Sequence, residues 1–353
     1  MTRSSRWPIL ALLAAACGGR SALEADLGAG ASGPDGAGGA ATTSATSSSA
    51  TGGNTAACTP TLEPVVLATG QWGPQRLAVD GERLYWSDHD PWQGRIMSVP
   101  LGGGPVEIVA DGLGRPRAIG LTADDVLWTD GFMDAVQRRA KAGGSVEQLG
   151  GFQHNPAALA TAGDAVFWAN RGHTTGEIVG WSPGDEMPTT VAPDQPEPNA
   201  IALGAGRVWW LSAGAGNGGD GSLRARDLAG GPIALWAHFD GTRSLEVDDE
   251  LVFVGVAGDI LVSSVDSGPF EILAEGAVAS DMVSDGEHLY WANHLQGVGR
   301  VSRTGGVASW LPTVDGAASV AVDDACVYVA VGATDQDSHD GMILEARKAA
   351  FEP

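Results

Sequence analysis

Between residues 62 and 348 apolar and polar positions alternate in short runs, each closed by Gly, Asp or Asn. That period-two pattern marks half-buried strands joined by tight turns, and long amphipathic helices with their three-to-four-residue apolar spacing are hard to find. A longer rhythm is laid over it. Apolar triplets recur as Leu84-Tyr85-Trp86, Val126-Leu127-Trp128, Val166-Phe167-Trp168, Val208-Trp209-Trp210 and Leu289-Tyr290-Trp291, with tryptophan-less copies ending at Val254 and Val329. The third residues of successive triplets lie 37 to 44 residues apart.

A period near forty with β-type alternation is the signature of a propeller blade, a four-stranded antiparallel sheet that buries its faces only against its neighbours. The expected fold is therefore all-β, a β-propeller of seven four-stranded blades, with six blades as the alternative. In the first copy, residues 76–81, 82–88, 94–101 and 105–112 read as strands running from the channel to the rim. The turns between the first two strands carry Asp80-Gly81, Asp124-Asp125, Gly163-Asp164, Gly204-Ala205-Gly206, Asp248-Asp249, Asp285-Gly286 and Asp323-Asp324. These residue types tolerate the positive φ that a tight hairpin needs. The last copy stops after its third strand, while the run EPVVLATG from Glu63 is a spare strand ahead of the first copy. It is expected to pair with residues 342–346 and close the ring, because an open ring would expose two sheet edges. Cys58 and Cys326 should lie on one face beside this seam, where an oxidising compartment would join them; the alternative is that both stay reduced.

Composition agrees with many short strands and tight turns: 52 glycines, 12 tryptophans and only 18% charged residues. The balance of 20 Lys+Arg against 43 Asp+Glu gives a formal charge of −23, which repels phosphate backbones and anionic membrane surfaces, so nucleic acid is excluded as a partner. An envelope or extracellular protein, or a small-molecule ligand, remains. Residues 1–16 form a basic region with Arg3 and Arg6, an apolar stretch from Trp7 to Leu13 and small residues Ala14 to Ala16, which is the pattern of a secretory signal peptide. Residues 17–57 are almost wholly Ala, Gly, Ser and Thr, too poor in apolar surface to fold, and read as a flexible tether spanning on the order of 35 Å. The propeller then occupies residues 58–353.

Two resemblances add to this reading. Small residues running into Cys17 resemble the lipobox of bacterial lipoproteins, although Leu13 lies one place further from the cysteine than in that family. The resemblance implies acylation of Cys17 and, with Gly18 following, a place in the outer membrane of a Gram-negative bacterium; the membrane would be reached by the lipid anchor alone. An ordinary cleaved signal with an incidental cysteine is the alternative. Tyr85-Trp86-Ser87-Asp88, Leu127-Trp128-Thr129-Asp130, Phe167-Trp168-Ala169-Asn170 and Tyr290-Trp291-Ala292-Asn293 resemble the YWTD propellers of lipoprotein-receptor ectodomains and, more loosely, NHL and TolB-like propellers. That likeness implies that the tryptophans pack between blades and that the acidic residue ties one blade to the next. The pattern is nowhere complete, and YWTD propellers have six blades.

Variable loops on a repeated scaffold are where specificity resides. The loops entering the inner strands, and those after the second strands, place Arg76, His89, Arg117, His154, Asn155, His173, Asn199, Arg243, Asp281, His294 and Ser319 around one mouth of the channel. A ring of mixed polar groups there is the expected ligand site. No G-x-S-x-G, H-E-x-x-H, C-x-x-C or phosphate-loop motif occurs, so the expectation is a binding module rather than an enzyme, with no cofactor. The competing class is a propeller lyase or lactone hydrolase that assembles histidines and acids at the mouth, with or without a divalent metal. Asp335, Asp337 and Asp340 form an oxygen-rich loop that a hard cation such as Ca²⁺ would accept, without the spacing of an EF-hand.

Overall fold

The computed structural model describes residues 58–89, 93–172, 175–213, 221–311, 314–332 and 339–351. They form seven four-stranded antiparallel sheets. Blade I consists of the strands Pro74–Val79, Arg83–Asp88, Gly94–Pro100 and Glu107–Leu113, ordered from channel to rim. Blades II to VI follow in chain order with inner strands beginning at Pro116, Pro156, Pro198, Ser244 and Asp281. Each inner strand lies against the next, and Ala317–Val322 of blade VII lies against Pro74–Val79 of blade I. The ring is complete with seven blades, so the six-bladed alternative falls.

Closure is supplied by the chain's first strand. Val65–Gln71 is the outer strand of blade VII, antiparallel to Gly341–Arg347, with Val65 opposite Glu345 and Gln71 opposite Gly341. A disulfide joins Cys58 to Cys326, their Cα atoms 5.6 Å apart, and Thr59 donates from both its backbone N and Oγ1 to Glu345 Oε1. The first strand is therefore fixed at its start as well as along its edge.

The triplets all fall in second strands, and each blade interface holds one apolar cluster. Trp86 packs with Ala321, Tyr328 and Ile343 of blade VII. Trp128 meets Ala78, Tyr85 and Ile96 of blade I, and Trp168 meets Leu127 and Val136 of blade II. Trp210 and Trp291 do the same against blades III and V, while Val254 and Val329 join the two remaining clusters. The tryptophans are thus inter-blade core, and a smaller residue suffices where the neighbouring blade brings its own bulk.

The turns work differently from the sequence expectation. Positive φ occurs in the first-to-second-strand turns at Gly163, Ala205, Gly206 and Gly286, but at none of the aspartates there. Asp80, Asp248, Asp285 and Asp323 instead accept two backbone N–H groups from residues two and three positions on, as Asp80 Oδ1 does from Glu82 and Arg83. The side chain mimics a turn carbonyl, so the backbone need not enter the left-handed region. Beyond the strands, the only helical element among the described residues is the short 3-10 turn Lys348–Ala350. None of the helices described is long and apolar enough to cross a membrane.

Candidate functional site

The inner strands of blades I to IV each start with a proline: Pro74, Pro116, Pro156 and Pro198. Each proline lies opposite the residue two places after the triplet, namely Asp88, Asp130, Asn170 and Ser212, and the register slips immediately afterwards. A bulge at that point leaves Gln75, Arg117, Ala157 and Asn199 outside the ladder and re-aims them. Three of these four line one cavity.

This cavity, of about 290 Å³, opens at the loop face where blades I, II and III meet. Gln75, Arg76, His89, Arg115, Arg117 and Ala157 line it, and the lining includes no carboxylate. Arg76 donates to the carbonyls of Gln75 at 3.1 Å and Ser280 at 3.3 Å, which carries it across blade VII towards blade VI. Arg117 Nη1 approaches Asn155 Oδ1 at 3.4 Å. Burial first, then the guanidinium charges of Arg171 and Arg115, hold the Arg117 pKa below the ordinary guanidinium value, with Asp130 opposing. Arg171 itself points to Glu197, 3.4 Å away.

The wall carrying Arg115 is fixed by Asp130, which is fully buried. Its carboxylate accepts from the backbone N–H of Gly114 at 2.7 Å, Arg115 at 2.8 Å, and Phe132 and Met133 at 3.0 Å each. Asp88 does the equivalent for Trp72 and Gly73 at the entrance to blade I. In blades I and II the aspartate after the triplet therefore pins the loop that crosses from the preceding blade.

The other predicted mouth residues are more scattered. Asn155 joins the cavity wall through Arg117, and its neighbour His154 is exposed at a positive φ of 40°. Asn199 is half-buried, and Arg243 and His294 are exposed at the entrances and loops of blades IV, V and VI. Asp281 is fully buried: its Oδ2 accepts from Ser319 Oγ at 2.5 Å and Val320 N at 3.2 Å, tying blade VI to blade VII. His173, Asp335 and Asp337 lie outside the described residues, as do Cys17 and the segment before Cys58; Asp340 is exposed. Among the described residues the group of three His, Cys, Asp or Glu side chains close enough to share a metal is Cys58, Cys326 and Glu345, and its two sulfurs are bonded to each other. Sequence reasoning missed Arg115 and Gln75. Their places beside Pro74 and Pro116, which open inner strands, gave no local signal of a shared cavity.

No family model and no characterised protein matches the sequence. Similar solved structures include a streptogramin B lyase, 13% identical with TM-score 0.61 over 81% of this chain and 97% of that one. The virginiamycin B lyase of Staphylococcus aureus is 11% identical with TM-score 0.61, covering 81% and 99%. A computationally designed protein matches nearly as well, at 15% identity and TM-score 0.57 over 81% and 100%. Lyases and a designed ring superpose alike, so the likeness establishes the propeller fold and carries no chemistry.

Proposed function

We propose that this chain is a lipid-anchored extracytoplasmic β-propeller that acts as a binding module, its ligand seated in the cavity between blades I, II and III. The observation that supports this reading is the composition of the cavity wall. Convergent polar side chains, most of them guanidinium groups, on and beside bulged strand starts suit recognition of a ligand.

The anchor reading fits the path of the chain. Cys326 opens the second strand of blade VII, beside the turn at Asp323, and this end of the blade is opposite the loop face. The described chain begins there at Cys58. A tether leading back to an acylated Cys17 would leave from that side, with the cavity facing away from the lipid. Incorporation of labelled palmitate that Cys17→Ser abolishes is the expected result; equal labelling of both chains would sink the anchor.

For the binding reading, small molecules of anionic, neutral and cationic classes are titrated calorimetrically against the purified chain and against Ala157→Trp, which fills the cavity. Saturable binding lost in the variant, with its unfolding transition retained, is expected. Consumption of a bound compound would move the reading to the enzyme class, and binding indifferent to the variant would overturn the cavity as the seat.

A further inference from the structure

Resting on that reading of the cavity as the ligand seat, we infer that its ligand carries an oxyanion, a carboxylate, sulfate or phosphate group, bound between Arg115 and Arg117 with Arg76 on the far side. Acidic residues outnumber basic ones 43 to 20 across the chain. Arg83, Arg138, Arg171, Arg207 and Arg303 each meet an Asp or Glu oxygen within 3.4 Å, while Arg139, Arg226 and Arg300 are met by backbone carbonyls. Arg76, Arg115 and Arg117 share one cavity, and none of them forms an ion pair among the described residues.

Crowding like charges costs free energy unless something of opposite sign lies between them. Asp130 cannot swing in to do this, because both of its oxygens already hold backbone N–H groups. The fold thus spends its nearest carboxylate on positioning Arg115 rather than on neutralising it. Guanidinium groups offer paired N–H donors whose geometry matches planar or tetrahedral oxyanions, and the partial burial of Arg76 and Arg117 strengthens such charge-assisted bonds. The size of the ligand is also bounded. A formal charge of −23 repels extended polyanions before contact, and a space of about 290 Å³ admits a small molecule or a single charged terminus.

The test is isothermal titration of the full chain with inorganic phosphate, sulfate and succinate, with glycerol and choline as neutral and cationic arms, all at fixed ionic strength. Heat of binding is read rather than melting temperature, because sulfate and phosphate raise the latter by general exclusion from protein surface. Saturable binding of at least one oxyanion is expected, weakened about tenfold by Arg117→Gln or Arg115→Gln and unchanged by Lys141→Gln on the opposite face. Urea unfolding of each variant establishes that it is folded. Oxyanion binding unaltered in both arginine variants overturns the inference. Glycerol or choline binding, blocked by Ala157→Trp, without oxyanion binding overturns the inference and leaves the binding module standing. Absence of binding in every arm overturns the inference, and the module reading then falls with it if the wider panel is also silent.

Discussion

Trp86 in blade I donates its indole Nε1–H to Oε1 of Gln71, 3.1 Å away and 15 residues earlier, at the end of the outer strand of blade VII. The same spacing recurs with Gln153 and Trp168 at 2.6 Å and with Gln195 and Trp210 at 3.0 Å. In each pair a glutamine following one blade satisfies the tryptophan buried in the next. Blades II and VI depart from this: Leu113 stands 15 residues before Trp128, whose indole turns to Gln137 within its own blade at 2.9 Å, and Gly276 stands 15 residues before Trp291.

A buried indole N–H without an acceptor costs about 1–3 kcal/mol. Gln71→Leu keeps the side chain's bulk and removes the acceptor, so it should lower unfolding free energy by that amount in urea titration. A loss under about 0.5 kcal/mol, the range of a neutral surface change, would mean that Trp86 finds another partner.

Gly299 lies directly opposite Trp291 in the adjacent strand, and a β-carbon there would run into the indole ring. The other blades place Met97, Gln137, Val179 and Arg224 opposite their tryptophans, so blade VI is packed more tightly than its siblings. Gly299→Ala should destabilise by about 1–3 kcal/mol through overpacking, despite the alanine's better strand propensity. An unchanged unfolding midpoint would show that Trp291 can move aside.

Much of this architecture was legible because it repeats. The triplets sit where every blade interface needs bulk, and the strand missing from the last copy left Val65–Gln71 as its only complement. Turn chemistry was harder to read, since an aspartate before a hairpin serves equally well with a left-handed backbone or with a side-chain acceptor. At the mouth, Arg76, His89 and Arg117 were identifiable from their place before or after a strand. Asp281 looked the same by that rule, yet Ser319 of the following blade closes over it. Arg115 escaped notice because its importance comes from Asp130 and from neighbours on other strands, which no local pattern encodes.

The disulfide closes a sequence separation of 268 residues, and one of its cysteines lies just ahead of the strand that completes the ring. Cross-linking so long a loop restricts the unfolded chain, an effect typically worth about 2–4 kcal/mol. Reduction, or Cys58→Ser with Cys326→Ser, should lower the melting temperature and make Val65–Gln71 the first strand to exchange its amide hydrogens. Exchange that remains uniform across the blades after reduction would show that strand pairing and the Thr59–Glu345 bonds hold the seam unaided.

Acid should loosen the opposite side of the same blade. Asp285 Oδ2 accepts from Lys348 Nζ at 2.7 Å and from the Tyr290 hydroxyl at 2.9 Å, joining blade VI to the turn that follows the last strand. Burial pushes the Asp285 carboxyl up, but the Lys348 ammonium and the backbone N–H groups of His288 and Glu287 outweigh it and hold the pKa below the ordinary carboxylate value. The folded protein therefore binds this proton less tightly than the unfolded chain does. Its contribution is complete above the unfolded value of about 4 and is lost as pH falls through the lower, folded value. Asp285→Asn forfeits that contribution at neutral pH, by about 1.5–3 kcal/mol for a charged hydrogen bond, and has nothing further to lose there in acid. Urea unfolding at neutral pH and near pH 3 should show the gap between the two chains narrowing in acid; a gap that stays constant would mean that the Lys348 pairing does not depend on the carboxylate's charge.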